Sequence, residues 1–292
     1  MPSVPPFSRS EKVADYEGKC KPVVWKEHGV RSIDGTQIKL LEGAFSDAQP
    51  EQERQKIVVL YFQGNASSLP PRLPYLSRIM RSVKDQASDR VALTLVALSY
   101  RGFWTSSGRA TQPGLELDAE AALEWVLQRY GEDHKIIIWG QSIGTGVANL
   151  AAARLCRNDP KQFKRISGLL LETPFVNMRA LLLGMYPQKW LPYRYLSPFL
   201  RSTWESGKAL EEIGNRRSGI RMMLLQAGND EIVPEGQARI LEKLCVAKGI
   251  SVQRQVVSGA LHQDIMTKSP GRVKIVDFIC SFATESSRQA RR

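Results

Sequence analysis

The 292 residues hold only four cysteines, Cys20, Cys156, Cys245 and Cys280, and three histidines. No two cysteines form a CxxC pair, so neither a zinc site nor a disulfide framework is expected. Free thiols suit a reducing compartment. No apolar run approaches the roughly 18 residues of a membrane span; the longest, such as Val91–Leu98, has strand length. Residues 1–20 lack the apolar core of a signal peptide and read as a mobile N-terminal tail. The chain is therefore expected inside the cell, in the cytoplasm or peripheral on a membrane, and not secreted. Acidic residues are in deficit, 29 against 41 Lys plus Arg, for a net charge of +12. That charge is scattered, apart from Arg288, Arg291 and Arg292 in a basic tail at 285–292. No nucleic-acid motif accompanies it, so nucleic acid is not an expected partner. An anionic membrane surface remains as a peripheral contact.

What is present is a core's worth of apolar residues, 42% of the chain, in a repeating order. Val23–Val30 and Thr36–Leu41 read as a hairpin about Asp34-Gly35. Buried-type strands follow at Lys56–Phe62, Val91–Tyr100, Lys135–Trp139, Ile166–Leu171, Ile220–Gln226 and Ser251–Val257. Between them lie helical stretches at about 72–84, Leu115–Arg129 (amphipathic), 143–157 and 235–248, with a last helix at about 271–282. Strands alternating with helices imply an α/β fold with a mostly parallel sheet covered on both faces. A single domain over 21–284 is expected, with a lid-like insertion at 173–219. In such sheets ligands bind beyond the carboxyl ends of the strands, so the residues just after each strand deserve inspection.

Gly140-Gln141-Ser142-Ile143-Gly144 is a G-x-S-x-G string between a strand and a helix, the context of a nucleophile elbow. Glycines on either side leave room for a strained turn that lifts the Ser142 hydroxyl out of the sheet. Histidine is decided by elimination. His28 lies in the edge hairpin, and His134 precedes its strand, roughly 15–20 Å from Ser142. His262, after the last strand, is left as base. Asp230, after Ile220–Gln226, is the favoured acid to orient it; Glu231, Asp264 and Glu172 are its rivals. The N–H of Ile143 is one oxyanion donor. The second is expected from the loop Gln63-Gly64-Asn65-Ala66, with Asn65 preferred over Ala66. The formal glycosylation sequon at Asn65-Ala66-Ser67 thus falls within the expected site. No cofactor and no metal is expected.

These stretches resemble the α/β-hydrolase superfamily, and in particular the branch with a His-Gly-Asn-Ala oxyanion loop. That branch includes monoacylglycerol and lysophosphatidylserine lipases and protein depalmitoylases. The resemblance is carried by QGNASS (63–68), SYRGFWTSSG (99–108), IWGQSIGTGVANLAA (138–152), LLLETPFVNM (169–178), AGNDEIVP (227–234) and ALHQD (260–264). It implies the α/β-hydrolase fold and a serine esterase, lipase or thioesterase acting through an acyl-enzyme on a small acyl-ester or lipid substrate. Two positions depart from the pattern: Gln63 stands for the usual histidine of the oxyanion loop, and Ser99 for the usual aspartate before Tyr-Arg-Gly.

The insertion carries an aromatic cluster, of which Tyr186, Trp190, Tyr193 and Phe199 are candidates to line an acyl pocket. Arg179, Lys189, Arg194 and Arg201 are interleaved, a mixture suited to a membrane boundary or an anionic head group. Two other classes compete. A peptidase or amidase would often carry an extra specificity domain, for which this chain is short. A non-catalytic binding protein of the same fold has no need of Ser142, Asp230 and His262 together.

Overall fold

The runs of β-branched and aliphatic residues form one eight-stranded sheet in the computed structural model, which describes residues 8–46, 54–65, 67–88, 90–186, 188, 195, 200–216 and 219–283. The strands are β1 (Val23–Arg31), β2 (Gln37–Phe45), β3 (Gln55–Phe62), β4 (Val91–Ser99), β5 (Lys135–Gln141), β6 (Ile166–Glu172), β7 (Arg221–Ala227) and β8 (Ser251–Val257). Their order is β1-β2-β4-β3-β5-β6-β7-β8. β1 pairs with β2, and β2 with β4, antiparallel; every later pairing is parallel. The α/β expectation therefore holds, with the hairpin at one edge.

Strand side chains alternate between faces, and here both faces are apolar. Val58, Leu60, Phe62, Ile136 and Ile138 pack with the helices Gln112–Arg129, Ile143–Asn158 and Ser206–Asn215. Ile57, Val59, Tyr61, Ile137 and Trp139 pack with Leu73–Ala87 and Ser269–Cys280. Double-sided burial is why β3–β7 read as continuous apolar runs rather than alternating ones.

Two segments differ from the sequence expectation. The first is the N-terminal tail, of which 8–20 is described. It is helical at Ser8–Ser10, Val13–Tyr16 and Glu17–Cys20, and Cys20 is buried against the core. Tertiary contacts hold it where composition alone suggested mobility: the Trp104 Nε1–H donates to the Glu11 carbonyl at 2.8 Å, and the Ser68 hydroxyl donates to the Glu11 carboxylate. The second is the insertion at 173–219. Its later part is not a lid. Trp204, Ala209, Leu210 and Ile213 are core residues, and Ser206–Asn215 is the crossover helix between β6 and β7. Among the described residues no helix is long and apolar enough to cross a membrane. The basic tail at 285–292 lies outside the described residues.

Candidate active site

The elbow is built by two close approaches. A Cβ on Gly140 would lie 2.3 Å from the Gly144 carbonyl oxygen, and one on Gly144 would lie 2.1 Å from that of Phe62. Both obstacles are backbone and cannot turn aside, so any larger residue would push the helix Ile143–Asn158 from β5 or from β3. Between them Ser142 takes φ 52° and ψ −119°, a region that costs a non-glycine residue energy. Three bonds to its backbone hold it there, two with main-chain groups and one with a side chain. The Ser142 N–H donates to the Glu172 carbonyl at 2.9 Å, the Thr145 N–H donates to the Ser142 carbonyl at 2.8 Å, and the Thr145 hydroxyl donates to the same carbonyl at 2.7 Å.

His262 reaches Ser142 from the loop after β8. Its Nε2 lies 2.7 Å from Ser142 Oγ, and its Nδ1 lies 2.9 and 3.1 Å from the two oxygens of Asp230. An ionised carboxylate only accepts, so Nδ1 carries the proton; Nε2 is then the acceptor for the serine hydroxyl. Asp230 is itself fixed. Its Oδ1 accepts the N–H groups of Ile232 at 2.9 Å and Val233 at 2.8 Å. The His262 and Asp230 side chains are only 3% and 4% exposed, which keeps water from competing for these bonds.

The structure brings Ser142, His262 and Asp230 together and gives the rival acids other partners. Glu231 accepts the His262 backbone N–H at 2.9 Å, so it fastens the loop of His262 rather than its ring. Asp264 accepts the Leu261 N–H and closes the same turn. Glu172 is buried behind the elbow, bonded to Trp139 and Gln141.

The oxyanion side is partly built. Ile143 is the first residue of its helix, so its N–H has no intrahelical acceptor and faces the helix's positive end. Gly64 lies beside Ser142: a Cβ there would sit 3.5 Å from Ser142 Cβ. Asn65 is exposed and lines the same cleft; Ala66 lies outside the described residues. The Gln63 amide is fully buried and has no hydrogen-bond partner among the described residues. The Gln63 backbone carbonyl accepts from the Tyr100 hydroxyl at 3.1 Å. Ser99, in the aspartate position, donates to the Phe103 carbonyl at 3.2 Å and still supports its turn.

Ile143, Phe175, Met178, Leu181 and Ile232 give the cleft an apolar wall, and Arg72, Asn65, Gln141 and Gln263 give it polar points. Of the aromatic candidates for this wall, Tyr186 is partly exposed after the helix Met178–Met185 and is not among the lining residues. Trp190, Tyr193 and Phe199 lie outside the described residues, as do Lys189 and Arg194. Sequence reasoning passed over Phe175, Met178 and Leu181, although the apolar string after Glu172 was the available signal. Among the described residues no cluster of ligating side chains could hold a metal.

No family model matches the chain. It is 28% identical over 211 residues to protein bem46 of Schizosaccharomyces pombe, covering 72% of this chain and 63% of that one. It is 28% identical over 219 residues to the lysophosphatidylserine lipase of Bos taurus, covering 73% and 48%. With an uncharacterized protein of Mycobacterium tuberculosis it shares 30% over 231 residues, covering 78% and 70%. Among solved structures, an esterase of Rhizomucor miehei superposes with a TM-score of 0.66 at 15% identity, over 95% and 89% of the two chains. An esterase of Pyrococcus furiosus gives 0.61 at 17%, over 88% and 89%; these two likenesses are of fold. The match spans about half the length of the bovine lipase and less than two thirds of bem46. Sheet order and relatives define an α/β-hydrolase scaffold. The chain belongs to the α/β-hydrolase family.

Proposed function

We propose that this protein hydrolyses carboxylic esters or thioesters of lipid-like acyl groups, with Ser142 as nucleophile, His262 as base and Asp230 as the acid that orients it. The observation that carries the reading is the unbroken line from Ser142 Oγ through His262 to Asp230, at 2.7 and 2.9 Å, opening on an apolar cleft. Ser142 Oγ attacks the acyl carbonyl while its proton passes to His262 Nε2. Asp230 stabilises the imidazolium that results. The N–H groups of Ile143 and Asn65 take the developing oxyanion. His262 then returns the proton to the leaving alcohol or thiol. Water, deprotonated by the same imidazole, releases the acid from the acyl-enzyme.

The substrate class rests on the wall of Phe175, Met178, Leu181 and Ile232, which suits a hydrocarbon chain, and on the ester-cleaving relatives and fold neighbours. Arg72 adds a cation to an otherwise neutral wall, in keeping with an anionic head group. Ser142→Ala is expected to lower kcat on p-nitrophenyl acyl esters by on the order of 10⁴–10⁶ without loss of thermal stability. Cleavage of those esters well ahead of the matching anilides would separate esterase from amidase. Turnover at the unsubstituted rate by the alanine variant, or preference for anilides, would overturn the reading.

A further inference from the structure

Beneath the elbow lies a set of buried polar side chains that the acyl-transfer steps do not use. Glu172, Trp139 and Tyr61 have no solvent exposure, and Gln141 has 2%. Glu172 ends β6 directly opposite Gln141 in the β5–β6 register, and Gln141 immediately precedes the nucleophile. Leu170 and Glu172 share a sheet face by the two-residue period of a strand. The bonds between Glu172 and both Trp139 and Gln141 put those β5 residues on that face as well.

The bonds run in one direction. Arg72 Nη1 donates to the Tyr61 hydroxyl at 3.3 Å and to Gln141 Oε1, and the Tyr61 hydroxyl donates to Gln141 Oε1 at 3.0 Å. With its oxygen so occupied, the Gln141 amide is held in one orientation and turns its Nε2 to Glu172 Oε1 at 3.1 Å. Trp139 Nε1 donates to Glu172 Oε2 at the same distance. Each carboxyl oxygen thus meets a donor. An amide nitrogen in either place would set donor against donor.

We propose that Glu172 is a positioning residue for the nucleophile: its carboxylate grips Gln141 and Trp139 while its backbone carbonyl holds the Ser142 N–H, and together they fix the elbow. The proposal rests on the serine mechanism above. It assigns Glu172 no contact with substrate, and Asp230 already occupies the Nδ1 side of His262.

The grip is tightest in the ionised form, because charged acceptors make the stronger bonds, and the site makes ionisation costly. Burial pushes the Glu172 carboxyl up to about 7, against the bonds from Gln141 and Trp139 and the charges of Arg72 and His262. The titratable groups that face it are Tyr61 on β3, Arg72 before the helix Leu73–Ala87, and His262 after β8; β7 sets Leu225 opposite it. A proton on Glu172 weakens its oxygens as acceptors, adds a hydroxyl hydrogen with no acceptor in the bonds described, and removes the negative charge that interacts with His262. The acid limb of the rate profile should therefore contain a protonation beyond that of the imidazole.

The test is kcat and KM on p-nitrophenyl butyrate from about pH 5 to about pH 9, for the unsubstituted chain, Glu172→Gln and Trp139→Phe. Glu172→Gln is expected to lower kcat about 10–100-fold with KM nearly unchanged, and to reduce a two-proton acid limb to a one-proton limb. Trp139→Phe leaves the charge in place and removes one donor to it, so the extra step should move to higher pH. A glutamine variant with the original kcat, or acid limbs of one shape in all three proteins, overturns the positioning role and leaves the serine mechanism standing. Should Glu172→Gln not fold, the Trp139→Phe profile decides alone: a moved step supports the role and an unmoved one overturns it. An unsubstituted chain that cleaves no ester overturns both readings.

Discussion

At the scale of single residues, burial holds the Glu172 carboxyl at about 7 where its ordinary value is 4.5. The same shift acts on folding. A carboxyl whose folded pKa lies above its unfolded one binds its proton more tightly in the native chain. Its contribution to stability is complete below 4.5 and is lost as pH rises through about 7. Glutamine cannot titrate, so the stability of the unsubstituted chain relative to Glu172→Gln should grow as pH falls across that window. The change should be on the order of 3 kcal/mol, read from denaturant unfolding at a series of pH values. A pH-independent difference between the two proteins would contradict it. Acid thus favours the fold while it disfavours turnover, as expected of a charge kept in the interior for the site rather than for stability.

At the scale of elements, the loop proposed to carry the second oxyanion donor is tied to the N-terminal segment. Ser68 follows that loop by three residues from Asn65, and its hydroxyl is bonded to Glu11, whose own carbonyl is held by Trp104. Glu11→Ala should free the loop end without opening the core. We expect kcat to fall roughly tenfold, faster proteolysis near 63–68 and a melting temperature within a few degrees of the original. An unchanged kcat would mean that the tie has no bearing on the site.

The same elements show what the sequence alone could and could not tell. The strings around Ser142, Asp230 and His262 are local, and each follows a strand whose apolar run is unmistakable, so their place at one sheet edge was legible. Glu172 is a different case. Its partners are set by the register between β5 and β6, which no local string records, although a carboxylate closing the apolar run ISGLLLE was a signal. The N-terminal segment is polar in composition and is ordered by contacts with residues 57 or more positions away. The helix Ser206–Asn215 was hidden because its apolar positions Ala209, Leu210 and Ile213 are few and its Asn-Arg-Arg-Ser ending resembles a loop. The cleft wall was sought in aromatics, but the described part is built by Phe175, Met178 and Leu181.

At the scale of the whole molecule, eight strands place three loops from β5, β7 and β8 at one carboxyl edge, and the sheet does the work of bringing together residues 120 positions apart. The proposed mechanism depends on Ser142 Oγ being the atom that is acylated. The most direct measurement is to treat the folded chain with a fluorophosphonate and map the adduct by peptide mass spectrometry. The account predicts one adduct per chain, on the peptide containing Ser142, with ester hydrolysis lost in proportion to labelling and no labelling of His262→Ala under the same conditions. Full labelling of another residue, or hydrolysis that survives complete modification of Ser142, would contradict it.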